Sequence, residues 1–190
     1  WLDRPGTVGA PWPISQIRIL DDARKPLPAG EVGTVWIHMG DHRFEYKGDK
    51  AKTDEAWLDG FFTVGDAGYV DAEGYLFLMD RKADLIISGG VNISPAEIEC
   101  ELILHPAVED CAVFGVPDDD WGEQVKAAVT LKAGCTATEA EVIDWLEPRL
   151  AKYKRPKSVD FLPSLPRDEN GKLYKRKLRD PYWEGRSRSI

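Results

Sequence analysis

Twenty residues constrain this chain more than any others: Asp80-Arg81-Lys82-Ala83-Asp84-Leu85-Ile86-Ile87-Ser88-Gly89-Gly90-Val91-Asn92-Ile93-Ser94-Pro95-Ala96-Glu97-Ile98-Glu99. They set side by side a charged junction, an apolar strand from Leu85 to Ile87, a double-glycine turn and a helix start. Ser94 at an N-cap, Pro95 at the first helical position and Glu97 three residues after the cap compose a capping box. Everything before this stretch reads as β, and everything after it as alternating strand and helix. The stretch therefore predicts a junction between two differently built regions.

Upstream, Ile14 to Leu20 and Val32 to Met39 alternate apolar with polar residues around a Pro/Gly turn at Pro26 to Gly33, which predicts two strands of a small sheet. Gly40 to Lys52 is polar and is expected to be irregular. Thr53 to Leu58 is a short helix candidate with Thr53 as N-cap. Phe61 to Val64, Ala67 to Val70 and Tyr75 to Met79 complete an aromatic-rich β region, with Ala72-Glu73-Gly74 turning the last hairpin. Some eighty residues of this kind make a marginal core, so this region is expected to lean on structure beyond the chain. Trp1 opens the sequence inside a Gly/Pro-rich stretch, and the chain is read as a portion of something longer.

Downstream, a helix is predicted from Ala96 to Leu104, strands from Val108 to Val116 (ended by Pro117) and from Val125 to Lys132, a helix over Ala137 to Lys152 disturbed by Pro148, and a strand from Val159 to Leu162. A Pro-rich loop and a basic tail, Lys172 to Arg179, follow. The expected fold class is α+β: a small β-rich subdomain forming a distorted barrel over 1–79, a hinge over 80–84, and a compact C-terminal α+β domain over 85–190, a small sheet flanked by helices.

Composition excludes several classes. A net charge of -8 argues against a dedicated nucleic-acid binder, which needs a basic surplus for phosphate contacts. The charge is uneven, however: Arg149 to Arg179 holds eleven Lys/Arg against three Asp/Glu, so a local basic face and an anionic ligand are expected there. Three cysteines (Cys100, Cys111, Cys135) form no zinc spacing and suit a reducing cytosol as structural thiols. His38, His42 and His105 lack ligand spacing and read as surface or packing residues. No metal site and no transmembrane segment are expected, and the reading is a cytoplasmic chain.

Three features ask for a ligand. In Thr63-Val64-Gly65-Asp66 a carboxylate follows a glycine at a strand break, where it could hold two sugar hydroxyls or simply form a turn. Ser88-Gly89-Gly90 lets the backbone approach something closely, or makes a tight hairpin. Pro166-Arg167-Asp168-Glu169-Asn170-Gly171-Lys172 presents a lysine after an Asn-Gly turn, either solvated or aimed at a ligand.

Taken together with Arg81-Lys82-Ala83-Asp84-Leu85-Ile86, with Pro95-Ala96-Glu97-Ile98-Glu99, with Pro26 to Gly33 and with Asp59 to Asp66, these segments resemble, in order and spacing, the C-terminal part of the adenylate-forming superfamily, and the hairpin from Ile86 to Ile93 looks more like that of fatty or aryl acyl-CoA ligases than of peptide-synthetase modules. The resemblance covers essentially the whole chain. It implies a carboxylic acid, ATP and CoA as small-molecule partners, with magnesium held by residues outside this chain, and the missing N-terminal domain of the same polypeptide as the structural partner. Asp66 and Arg81 would bind the ATP or AMP ribose. Lys172 would be the catalytic lysine of adenylation, and Gly89 and Gly90 would line the CoA pantetheine path, with Lys154 near a CoA phosphate. Asp80, Lys82, Ala83 and Asp84 would form the hinge.

The sequence departs from the family at Ala83, where the hinge residue is usually Asp or Lys, at Thr34, where Glu is common, and over Gly40 to Lys47. The chain by itself is expected to adenylate nothing, because the phosphate-binding loop and acyl pocket are not in it. Two other readings remain: an adenylation domain of a peptide synthetase, and a non-catalytic nucleotide- or partner-binding module.

Overall fold

A computed structural model describes residues 4–41 and 43–186; His42, read above as a surface or packing residue, lies outside the described residues. The chain divides into two compact units, 1–83 and 84–190. No described helix is long and apolar enough to cross a membrane.

Among the described residues, the first unit is one sheet with a single short α-helix. Its elements are β1 (Gln16–Leu20), β2 (Gly33–His38), α1 (Lys50–Glu55), β3 (Trp57–Leu58), β4 (Phe61–Phe62), β5 (Asp66–Val70) and β6 (Leu76–Arg81). The strand order is β3-β4-β2-β5-β6, with β1 paired along β2. Alternation on β2 feeds both faces. Val35 joins Ile19 and Leu76 in one cluster, and Trp36 joins Leu20 and Phe61 in another. This corrects the expected distorted barrel: the sheet is open, with no closed barrel. With β3 and β4 only two residues long, this edge offers little ladder for closure.

Two local expectations also change here. Thr53 does not cap α1. Asp49 does, its carboxylate accepting from the Lys52 N–H at 3.0 Å. Thr53 is buried instead, its hydroxyl donating to the Asp49 carbonyl and accepting from the Tyr46 N–H, both at 2.9 Å. These bonds, with the Trp57 indole N–H donated to the Phe44 carbonyl at 3.1 Å, tie down much of the segment expected to be irregular. Phe44 also sits against both Trp57 and Phe62, so the polar-looking stretch is held through its aromatic residues.

The second unit begins with β7 (Ile86–Ser88) and β8 (Val91–Ile93), then α2 (Pro95–Leu102), β9 (Val108–Asp118), β10 (Gly122–Leu131), α3 (Glu139–Trp145), β11 (Ser158–Phe161) and α4 (Lys175–Arg179). The order is β11-β10-β7-β8, with β9 as hairpin partner of β10. Only β11 runs parallel to its neighbour, as the α3 crossover requires. Period-two alternation buries both faces of the hairpin. Val113, Val125, Ala127 and Val129 pack with Ile98 and Leu102 of α2 and with Val142 and Leu146 of α3 and its end. Ala112, Phe114, Val116 and Ala128 pack with Leu165, Leu173 and Leu178 from the C-terminal segment. A buried Leu or Ile typically stabilises by roughly 1.5–3 kcal/mol, which makes this two-faced sheet the main apolar store of the unit.

Pro117 does not end β9, which continues to Asp118 with Pro117 opposite Glu123. Pairing of β9 on the β10 side alone explains the tolerance, since an edge strand does not need every N–H in a ladder. The expected capping box at Ser94 is absent: Ser94 occupies the N-cap and Pro95 follows it, but no side-chain capping bond forms. Glu97 is drawn away to Lys154 Nζ, at 2.6 and 2.7 Å. The box appears at α3 instead, where the Thr138 hydroxyl accepts from the Glu141 N–H and the Glu141 carboxylate accepts from the Thr138 N–H at 2.8 Å. α3 ends at Trp145, before Pro148.

Candidate functional site

In the first unit, β5 and β6 bring together two of the residues singled out in the sequence. Asp66 opens β5 and Arg81 closes β6, and the antiparallel register sets them directly opposite one another. Opposed residues of an antiparallel pair project to the same face. The ladder is extended past them by the Lys82 N–H, which donates to the Gly65 carbonyl at 2.8 Å. The Thr63 hydroxyl accepts from the Gly65 N–H at 3.1 Å, and Gly65 has φ +85°, so the Thr63–Gly65 turn delivers Asp66 to the strand start. Just after the pair, the ladder slips between Ala67 and Gly68. A Cβ on Gly68 would lie 2.4 Å from the Phe77 carbonyl oxygen, which makes glycine a requirement of this bulge. A cavity of about 470 Å³ opens beside the turn, its walls including Asp22, Trp36, Thr63, Gly65 and Lys82.

The hinge candidates follow at once. Asp80 pairs with Ala67 at the end of the ladder, and Lys82–Asp84 form one 3-10 turn. The boundary between the compact units falls inside this turn, after Ala83. On one side, Lys82 Nζ meets Asp22 at 2.6 Å within the first unit. On the other, Asp84 meets Arg179 at 3.7 Å within the second.

In the second unit, Gly89 and Gly90 make the two-residue turn between β7 and β8, with φ +57° and +79°. Two positive φ values in succession are what such a hairpin needs, and only glycine adopts both without strain. Their surroundings differ. A Cβ on Gly89 would fall 2.5 Å from the Trp121 ring, whereas one on Gly90 would have nothing within 4 Å. Trp121 leaves 63% of its surface exposed beside the hairpin, and its carbonyl accepts from the Gly89 N–H at 2.8 Å. The buried Glu123 carboxylate supports the same strand, accepting from the Ile87 N–H at 3.3 Å. Sequence reasoning missed Trp121 and Glu123; an aromatic between Asp120 and a glycine, at a turn with Asp118 three residues before it, was the available signal for Trp121.

Lys172 lies on a closed loop. The Asp168 carboxylate accepts from the N–H groups of Asn170 at 2.9 Å and Lys172 at 2.8 Å, and Arg167 pairs across to Leu173. Its side chain is exposed, with no ion-pair partner among the described residues. Lys154, in contrast, is already engaged by Glu97, which joins the 3-10 turn Lys152–Lys154 to α2.

The other titratable groups have structural occupations. Burial pushes the Cys111 thiol up to about 12, helped by the charges of Glu99 and Asp110. A thiol so placed is inert at neutral pH. Cys100 is exposed on α2 rather than lying in its apolar face. Burial alone would lower the Lys126 ammonium, but the Asp160 carboxylate at 2.8 Å outweighs it and leaves the group raised. Tyr182 donates to the same carboxylate, and the Trp183 indole donates to the Gly115 carbonyl at 3.0 Å, so the C-terminal segment is strapped to the sheet. Among the described residues no three His, Cys, Asp or Glu side chains converge as a metal site.

Residues 97–172 match the family described as AMP-binding enzyme C-terminal domain. A fatty acid–acyl-carrier-protein ligase of Streptomyces coeruleorubidus is 40% identical over 182 residues, 96% of this chain and 35% of that protein. A feruloyl-CoA synthase of an Amycolatopsis species is 42% identical over 177 residues, covering 93% of this chain and 36% of the synthase. Among solved structures, o-succinylbenzoate CoA synthetase of Bacillus subtilis in complex with its acyl-adenylate superposes with a TM-score of 0.85 at 35% identity, over 94% of this chain and 36% of that one. ATP-bound MatB of Rhodopseudomonas palustris does so with a TM-score of 0.80 at 40% identity, over 94% and 36%. The chain thus spans about a third of the length of the relatives it matches. Residues 97–172 are therefore an AMP-binding enzyme C-terminal domain, and nearly the whole chain is similar to about a third of each of these acyl-activating ligases, as the resemblance to the C-terminal part of the adenylate-forming superfamily implies.

Proposed function

We propose that this chain acts as the C-terminal portion of an ATP-dependent ligase that joins a carboxylic acid to the thiol of CoA. The observation that carries the reading is the register of Asp66 against Arg81: the carboxylate and the guanidinium that would share one ribose stand on facing strand positions. In the first half-reaction a carboxylate oxygen attacks the α-phosphorus of ATP and pyrophosphate leaves, giving the acyl-adenylate. Asp66 would accept from the ribose hydroxyls and Arg81 would donate to the same sugar. Lys172 would place its ammonium against the oxygens on which charge develops, an interaction worth more in the transition state than in the ground state. Magnesium, when bound, would neutralise phosphate charge, and its ligands belong outside these residues.

In the second half-reaction the CoA sulfur attacks the acyl carbon, AMP departs and the thiol proton is lost. The open side of Gly90 and the exposed Trp121 ring would flank the pantetheine arm, with Gly89 closed off by that ring. Residues 80–84 would serve as the hinge over which the C-terminal domain turns between the two steps, in the cytoplasm. With Lys154 held by Glu97, a CoA phosphate would have to compete for that ammonium. A second reading, transfer to the phosphopantetheine thiol of a carrier protein, is favoured by the name of one relative, a fatty acid–acyl-carrier-protein ligase.

In the longer polypeptide carrying this chain, Lys172→Ala should slow acid-dependent pyrophosphate release about 10²- to 10³-fold, while thioester formation from preformed acyl-adenylate is spared. Full retention of pyrophosphate release would remove the reading and favour a non-catalytic module. Comparing CoA with a carrier protein as acceptor separates the two thiols. The 190-residue chain alone should not exchange labelled pyrophosphate into ATP; exchange would show that the ATP site needs nothing more.

A further inference from the structure

The loop that carries Lys172 is gripped from outside by one side-chain pair. Arg167 donates from Nε and Nη2 to both oxygens of Asp110, at 2.8–3.0 Å, and its remaining Nη1 donates to the Gly171 carbonyl at 2.7 Å. A single guanidinium therefore joins a strand of the sheet to the peptide just before Lys172. Asp110 itself is fixed on β9, opposite Thr130, and accepts from the Cys111 N–H at 3.0 Å. Leu165 and Leu173, on either side of the loop, are seated in the second apolar cluster.

We propose that Asp110 and Arg167 are positioning residues for adenylation, holding the Lys172 backbone at a set place on the sheet so that only the lysine side chain is left to move. This rests on the assignment of Lys172 to the adenylation step. Two observations set the pair apart from ordinary surface charges. The bond is a two-pronged fork on a carboxylate, which fixes direction as well as distance. The third donor is spent on the loop itself, at the residue whose φ of +80° turns the chain into Lys172. The pair is also substantially exposed, with side-chain accessibilities of 41% and 28%, and exposed ion pairs add little to global stability. Its loss should thus be felt at the loop rather than in the fold.

The test uses the longer polypeptide that carries this chain, with adenylation followed by pyrophosphate release and the second step by thioester formation from preformed acyl-adenylate. Arg167→Gln should lower the adenylation kcat about 10-fold, as a misplaced catalytic group does, with KM for ATP and Tm unchanged. Thioester formation should stay within about 2-fold of the unsubstituted enzyme. Asp110→Asn should give the same split, and Arg167→Lys, which keeps the charge but loses the fork, should fall between. Amide exchange at Gly171 and Lys172 should accelerate in step. Unchanged adenylation in Arg167→Gln beside a collapsed Lys172→Ala overturns the clamp and leaves the function standing. A drop in both half-reactions together with Tm makes the pair merely structural and also overturns it. Intact adenylation in Lys172→Ala removes the function and the clamp with it.

Discussion

The Gly89–Gly90 hairpin and the Lys172 loop belong to the same unit and are assigned to successive steps, yet their shapes come from different sources. The turn of the hairpin is written into its own two residues: successive positive φ values turn β7 into β8, and the Trp121 carbonyl and Glu123 carboxylate only brace a turn already made. The loop also has a glycine turn, at Gly171, but its place on the sheet depends on Asp110, more than fifty residues earlier. Local chemistry shapes the first; a long-range ion pair seats the second. The lesson is that a substitution inside the hairpin should damage its step directly, while the lysine loop should be vulnerable at a distance.

The sharpest way to break that contrast lies at Gly89. Valine there would meet both a left-handed backbone and the Trp121 ring, so Gly89→Val should reduce thioester formation about 10²-fold while pyrophosphate release persists. Gly90→Ala, which meets only the backbone cost of roughly 1–2 kcal/mol, should do less. Equal losses for the two would mean that Trp121 does not shape the path. A ranked series of thioester rates from preformed acyl-adenylate decides it.

A smaller effect sharpens the same comparison at the helix starts. Ser94-Pro95-Ala96-Glu97 and Thr138-Glu139-Ala140-Glu141 carry the same capping signature, but only the second closes into a box. Thr138→Ala should therefore cost about 1 kcal/mol in denaturant unfolding, and Ser94→Ala should remove no capping bond. The bonds from Thr138 hold the Glu141 carboxyl below its ordinary value. That contribution is complete above the unfolded carboxylate range and is lost as pH falls through the depressed one. A Glu141→Ala deficit that does not shrink in acid would contradict the box.

Much of the fold was legible because apolar periodicity is a local property. Val113 and Ala112 fall on opposite faces of β9 whatever else happens, and the two clusters they join follow from that alternation. The α+β class, the order of elements from α2 to β11 and the glycine hairpin were readable for this reason, whereas α4 had been read only as a basic tail. The register of Asp66 against Arg81 was not, because it depends on where the ladder slips at Gly68. Trp121 was missed because an exposed tryptophan in a polar turn has no periodicity to announce it. Thr53 was misread as a cap because Asp49, four residues earlier, competes better for the helix N-terminus.

The sequence by itself determined which residues carry chemistry-bearing groups, which glycines must turn the chain and which faces of each strand are apolar. Those are set by side-chain type, φ preference and a two-residue period, all of them short-range. The tertiary structure alone decided partners. Glu97 took Lys154 in place of the Ser94 amide, Arg167 took Asp110, and the first sheet stayed open. Charged side chains are long and find their partners only once the sheet has brought distant strands together, so no spacing along the chain can name them in advance.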